Sequence, residues 1–120
     1  MEAVLTRKFT FDSAQALTSF PEGHKCRRMH GHTFILEVSV AGEVDEETGI
    51  VFDHAMIAEK VKPLVEQLDH RCLNEIEGLE LPSLERMCRW FWERIVPDLP
   101  GLCEIKLMET PTSWCTYRGE

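Results

Sequence analysis

The sequence has no excess of positive charge: 13 lysines and arginines stand against 21 aspartates and glutamates, a formal net charge of −8. Phosphate backbones are held by a net basic face, so no nucleic-acid partner is expected. No apolar run approaches the roughly 18 residues of a membrane span, which excludes a spanning helix. The start, Met1-Glu2-Ala3-Val4-Leu5-Thr6-Arg7-Lys8, lacks the basic and apolar blocks of a signal peptide, so a cytoplasmic location is expected. There is no CxxC pair, and the cysteines (Cys26, Cys72, Cys88, Cys103 and Cys115) are odd in number, which argues against a disulfide framework. Internal repeats, low-complexity tracts and linkers are also missing. At 120 residues, positions 1–120 read as a single domain. A domain of this size buries about 60 to 70% of its unfolded surface, so its core is modest and burial against other subunits would add to it.

What is present alternates first at period two. Phe9, Phe11, Ser13 and Gln15 share one parity of a strand over 3–15. Residues 18–29, with Pro21 and Gly23, read as a loop. Alternation returns from His30, with His32, Phe34, Leu36, Val38 and Val40 on one face. Asp53 is placed to cap a helix whose stripe is Ile57, Val61, Leu64, Val65 and Leu68, with a bend expected at Pro63. Ser83 is placed to cap a second helix that ends at Pro97, with Leu84, Met87, Cys88, Phe91 and Ile95 as its stripe. Strands over 103–109 and 113–118 complete a ββααββ order. That order predicts an α+β fold: a four-stranded antiparallel sheet with two helices on one face. Ile35 and Ile105 are read on the minority parity of their strands. The second sheet face lacks a cover, and oligomerisation is the natural way to supply one.

Four constellations carry possible chemistry. His30 and His32, at i and i+2 on a strand, project to one side, a spacing that suits two imidazoles on one metal but also arises incidentally. Antiparallel pairing of the first two strands would set Gln15 beside them. Cys26 lies among Lys25, Arg27 and Arg28, which form either a solvated loop or a local attraction for an anionic ligand and a thiolate. Asp69-His70 reads as a helix terminus or as an aspartate orienting an acid–base imidazole. Glu109 reads as a strand-end charge or as a carboxylate accepting paired N–H donors.

Taken together, these residues resemble the 6-pyruvoyltetrahydropterin synthase family, and most closely its 6-carboxytetrahydropterin synthase branch. The likeness rests on Phe9-x-Phe11 with Ala14, on Pro21-Glu22-Gly23-His24-Lys25-Cys26, and on Cys26-x3-His30-Gly31-His32. It continues through Gly42-Glu43-Val44-Asp45, Gly49, Asp53, Leu68-Asp69-His70, Leu73-Asn74, Pro82 and Trp90-x-Trp92, ending at Glu109-Thr110 and Tyr117-Arg118-Gly119. The resemblance implies a tunnelling fold, in which trimers close their sheets into a barrel and stack as a homohexamer with pterin pockets at subunit junctions. It implies a lyase of queuosine (7-deazapurine) biosynthesis that converts 7,8-dihydroneopterin triphosphate to 6-carboxytetrahydropterin, acetaldehyde and triphosphate. Carried over by position, His30 and His32 hold one Zn2+ per subunit, and Cys26 abstracts a proton. Asp69 and His70 relay protons, and Glu109 anchors the pterin ring.

Several positions depart from the family pattern: Ala16, Thr18, Leu84 and Trp114 differ, and Gln15 bears directly on the metal. Gln15 stands where the family has the third zinc histidine, and an amide oxygen is not among the usual zinc ligands. Two readings therefore remain: a zinc-dependent carbon–carbon lyase, or a pterin-binding homologue with impaired metal binding and altered or lost catalysis.

Overall fold

A computed structural model describes residues 1–120. The elements are β1 (Glu2–Gln15), β2 (His30–Glu43), α1 (His54–Leu68), β3 (Arg71–Cys72), α2 (Leu84–Ile95), β4 (Leu102–Thr110) and β5 (Ser113–Tyr117). Short 3-10 turns cover Lys25–Arg27 and Leu73–Glu75. The sheet order is β3-β1-β2-β4-β5. The four expected strands pair antiparallel, as β1 with β2, β2 with β4, and β4 with β5. The expected four-stranded, wholly antiparallel sheet is corrected by β3, which pairs parallel with β1 through Ser13–Arg71 and Ala14–Cys72. Its two residues are too short to carry a period, so the alternation could not announce it. The sheet has five strands and is mixed.

Both helices start where a side chain supplies the missing acceptor. Asp53 accepts from the N–H of Ala55, and Ser83 accepts from that of Arg86. Helix α1 runs on through Pro63 to Leu68. The buried stripe of α1 (Ile57, Val61, Val65, Leu68) and that of α2 (Met87, Cys88, Phe91, Ile95) join one apolar cluster with a single face of the sheet. Phe11 and Phe34 stack across β1 and β2 with ring centroids 5.2 Å apart. The opposite face, with Asp12 and Thr33 exposed and Ile35 and Met108 half-buried, is not covered by these helices.

The parity assigned to Ile105 is corrected. Ile105 is fully buried and lies opposite Val38, while Leu107 lies opposite Leu36. A register shift between Ser39 and Val40 lets Leu102, opposite Val40, also face the core. A bulge of this kind places two apolar residues three apart on one side, which strict alternation does not anticipate.

The chain leaving β1 is pinned by Asn74. Its Oδ1 accepts from the N–H of Ala16 at 2.9 Å, and its Nδ2 donates to the carbonyl of Ala16 at 2.8 Å. Asn74→Ala leaves both backbone groups unpaired and is expected to lower stability by about 1–3 kcal/mol in urea unfolding. An unchanged unfolding midpoint would mean that the clamp contributes nothing.

Candidate active site

The core parity changes character at one end of the sheet. On β1 it passes from Phe11 to Ser13 and Gln15, and on β2 from Phe34 back to His32 and His30. On β4 it passes from Leu107 to Glu109. The pairing sets Gln15 opposite His30 and Ser13 opposite His32, the neighbourhood that antiparallel pairing predicted. Three adjacent strands thus bring two imidazoles, an amide and a carboxylate to one place.

Their bonds fix their roles. His32 Nε2 lies 3.2 Å from Glu109 Oε1, with the two side chains 23% and 22% exposed. Gln15 is almost fully buried, and its Nε2 donates to the same Glu109 oxygen at 2.7 Å. The amide oxygen of Gln15 is buried with no hydrogen-bond partner. His30 Nδ1 lies 2.7 Å from the carbonyl of Arg28. Because a carbonyl only accepts, Nδ1 carries the proton and Nε2 keeps its lone pair, the usual arrangement of a metal-binding histidine.

The ligand atoms of His30, His32 and Glu109 all lie within 4.8 Å of one another. Two imidazoles and one carboxylate are a common set for a catalytic divalent metal. The residues present therefore fit a metal, with Glu109 as the third charged or basic donor. Gln15, expected there as a doubtful ligand, is in place, but its nitrogen is committed to Glu109. Sequence reasoning missed this bond: the shared parity of Ile105, Leu107 and Glu109 puts the carboxylate on the core face but does not name its partner.

A cavity of about 460 Å³ opens beside these groups and is lined by Cys26, Lys25, His30, His32 and Glu109, with Phe20 and Leu17 as apolar walls. Cys26 sits in the Lys25–Arg27 turn. Its N–H donates to His24 Nδ1 at 3.1 Å and its carbonyl accepts from Leu17 at 2.8 Å, so the backbone places the thiol. Arg27, expected among the cations around Cys26, has a structural task. Its guanidinium holds the carbonyls of Thr18 and Phe20 and ties the loop together.

Asp69 and His70 lie elsewhere. They are next to a second, open cleft of about 540 Å³, lined in part by Asp12, Thr33, His70 and Arg71. Only His32 lines both spaces. Asp69 Oδ1 accepts from the N–H of Asp12 at 2.9 Å and lies 3.0 Å from His70 Nδ1. The N–H of Asp12 is the main cause holding the Asp69 carboxyl below the usual carboxylate range, and His70 adds to it. His70 has φ 58°, a left-handed backbone, and its N–H donates to the carbonyl of Asp12 at 2.6 Å. A non-glycine residue held in this conformation, in the connection from α1 to β3 and bonded to β1, is a candidate functional position.

Two of the other thiols, Cys88 and Cys103, are poor candidates for chemistry. Cys88 is fully buried, and burial pushes its thiol well above the ordinary range. Burial also raises the half-buried Cys103 thiol.

Residues 4–120 match the protein family described as "PTPS: 6-pyruvoyl tetrahydropterin synthase". A 6-carboxy-5,6,7,8-tetrahydropterin synthase of Synechocystis sp. is 37% identical over 120 residues, covering 95% of this chain and 92% of that protein. A dihydroneopterin monophosphate aldolase of Pyrococcus furiosus is 37% identical over 106 residues, covering 88% and 86%. The solved 6-pyruvoyl tetrahydropterin synthase of Caenorhabditis elegans superposes with a TM-score of 0.91 at 24% identity, covering 100% of this chain and 97% of that one. That likeness supports the fold.

Proposed function

This chain belongs to the 6-pyruvoyl tetrahydropterin synthase family, and we propose that it is a cytoplasmic carbon–carbon lyase of the 6-carboxytetrahydropterin synthase type. In this reading it converts 7,8-dihydroneopterin triphosphate and water to 6-carboxytetrahydropterin, acetaldehyde and triphosphate, a step of 7-deazapurine biosynthesis. The observation that carries it is the meeting of Cys26, His30, His32 and Glu109 on one cavity.

Glu109 accepts hydrogen bonds from the pterin 2-amino group and a ring N–H, which its two oxygens match as a pair. Phe20 and Leu17 give the ring apolar walls, and Lys25 attracts the triphosphate. Cys26, free of any disulfide and acting as its thiolate, is the group that takes a proton from the substrate side chain. His30 and His32 hold the metal, zinc in this reading, which when bound supplies Lewis acidity toward side-chain hydroxyls.

Asp69 holds His70 in one tautomer, and His70 moves the second proton. His70 lines the other cleft of the same chain, with Asp69 beside it. Here they serve the cavity of a neighbouring subunit, in a trimer that closes its sheets into a barrel and stacks as a hexamer. The uncovered sheet face supports that assembly.

A second reading keeps pterin binding without this catalysis, and Gln15 favours it. Its amide occupies the place of a third imidazole and engages the group meant for the pterin. The product distinguishes the readings. Purified protein given 7,8-dihydroneopterin triphosphate is expected to release acetaldehyde and triphosphate. A hydroxyaldehyde would indicate aldolase chemistry instead, and bound but unchanged substrate would favour the second reading.

A further inference from the structure

Glu109 is asked to serve two partners, and Gln15 decides how. The amide of Gln15 is buried and donates to Glu109 Oε1 at 2.7 Å. Turned the other way, it would set its oxygen against a carboxylate oxygen, so the carboxylate enforces the orientation. That bond holds Oε1 where it also lies 3.2 Å from His32 Nε2, inside the cluster formed with His30. A histidine at position 15 would be an additional imidazole; the glutamine instead draws the carboxylate toward the histidines.

We propose that Glu109, positioned by Gln15, is the third metal ligand of this chain, and that metal and pterin therefore compete for it. The competition rests on the pterin reading of the cavity; the ligand assignment does not. A carboxylate offers about four lone-pair sites, two on each oxygen. Gln15 already occupies one site on Oε1. A pterin presenting two parallel N–H donors needs one site on each oxygen. A metal on Oε1 takes the site left there and withdraws negative charge from the whole group. Each ligand then weakens the other, and by linkage the two factors are equal.

This arrangement also bears on which metal is held. Two imidazoles with a carboxylate form a harder donor set than three imidazoles and suit Fe2+ and Zn2+ alike. The unpaired oxygen of Gln15 is the alternative donor, a neutral amide.

The test titrates metal-free protein with Co2+, read by its d–d absorption, with and without saturating pterin read by fluorescence. Glu109→Gln, nearly isosteric, is expected to lower Co2+ affinity by roughly 100-fold or more and to change the spectrum, since even outer-shell losses cost roughly 10 to 100-fold. Gln15→Leu, which removes only the positioning bond, is expected to cost about 10-fold. Saturating pterin is expected to lower Co2+ affinity by about 10-fold, within the usual range of coupling between sites. Gln15→His supplies an imidazole and frees Glu109, so that antagonism should vanish while both ligands bind. Unchanged Co2+ affinity in Glu109→Gln would overturn the ligand assignment. A larger loss in Gln15→Leu than in Glu109→Gln would overturn it too, making the amide oxygen the ligand. Independent binding of Co2+ and pterin to the parent protein would overturn the competition alone. If pterin does not bind at all, the pterin reading and the competition fall together, whatever Glu109→Gln does to Co2+. Circular dichroism of each variant guards against reading a folding defect as a lost ligand.

Discussion

Cys26→Ala is expected to lower turnover of 7,8-dihydroneopterin triphosphate by roughly 10²- to 10⁴-fold, the usual worth of a positioned general base. The substitution is small and local. The N–H and carbonyl of Cys26 hold its place in the turn through His24 and Leu17, and neither bond involves the thiol. Substrate affinity should therefore change little, because in the proposed pose the ring is held by Glu109 and the cavity walls rather than by sulfur. Steady-state kinetics separate the two: kcat falls and KM stays within a few-fold. A variant with parental kcat would assign proton abstraction to another group.

His70→Asn is expected to lower turnover by a similar factor, roughly 10²- to 10⁴-fold, for a different reason. Asparagine tolerates the left-handed backbone that His70 adopts, so the connection from α1 to β3 survives while the imidazole is lost. Glycine would tolerate that backbone as well, but asparagine keeps a side chain of similar polarity beside Asp69. Because Cys26 and His70 flank different spaces in one chain, the two inactive variants should complement each other. When Cys26→Ala and His70→Asn subunits are unfolded together and reassembled, roughly a quarter of the sites should pair an intact thiol with an intact imidazole, by random mixing in a symmetric ring. Mixtures that stay as inactive as either parent would place both groups in the same subunit's site.

Most of the sheet was legible in the sequence because one face is buried, and a buried face makes parity informative. Given antiparallel pairing of β1 with β2, shared parity was enough to bring Gln15 to His30 and His32. What parity could not carry was the exception to it. The two-residue β3 has no period, and the register shift beside Val40 turned Leu102 to the core, while Ile105 keeps its regular alternation with Leu107. The helices were legible through their caps, Asp53 and Ser83, and through their apolar stripes.

The site was legible as residues but not as an arrangement. Cys26, the two histidines and Glu109 were singled out separately, and only the order of β1, β2 and β4 brings three of them together. Arg27 looked like part of a cationic loop around the thiol because sequence gives charge without partners. Its two backbone acceptors make it a brace. The bond from Gln15 to Glu109 was invisible for the same reason: a departure from a pattern shows what is missing at a position, not what the new side chain reaches.

The proposed function depends most directly on Glu109 recognising the pterin ring. An equilibrium titration of metal-free protein with unsubstituted pterin, which has no side chain to react, isolates that contact from metal and catalysis. Glu109→Gln replaces one acceptor of the pair by a donor and leaves a pterin N–H unpaired, so affinity is expected to fall by roughly 10-fold or more, while Cys26→Ala binds like the parent. Equal affinity in Glu109→Gln and the parent protein would contradict it.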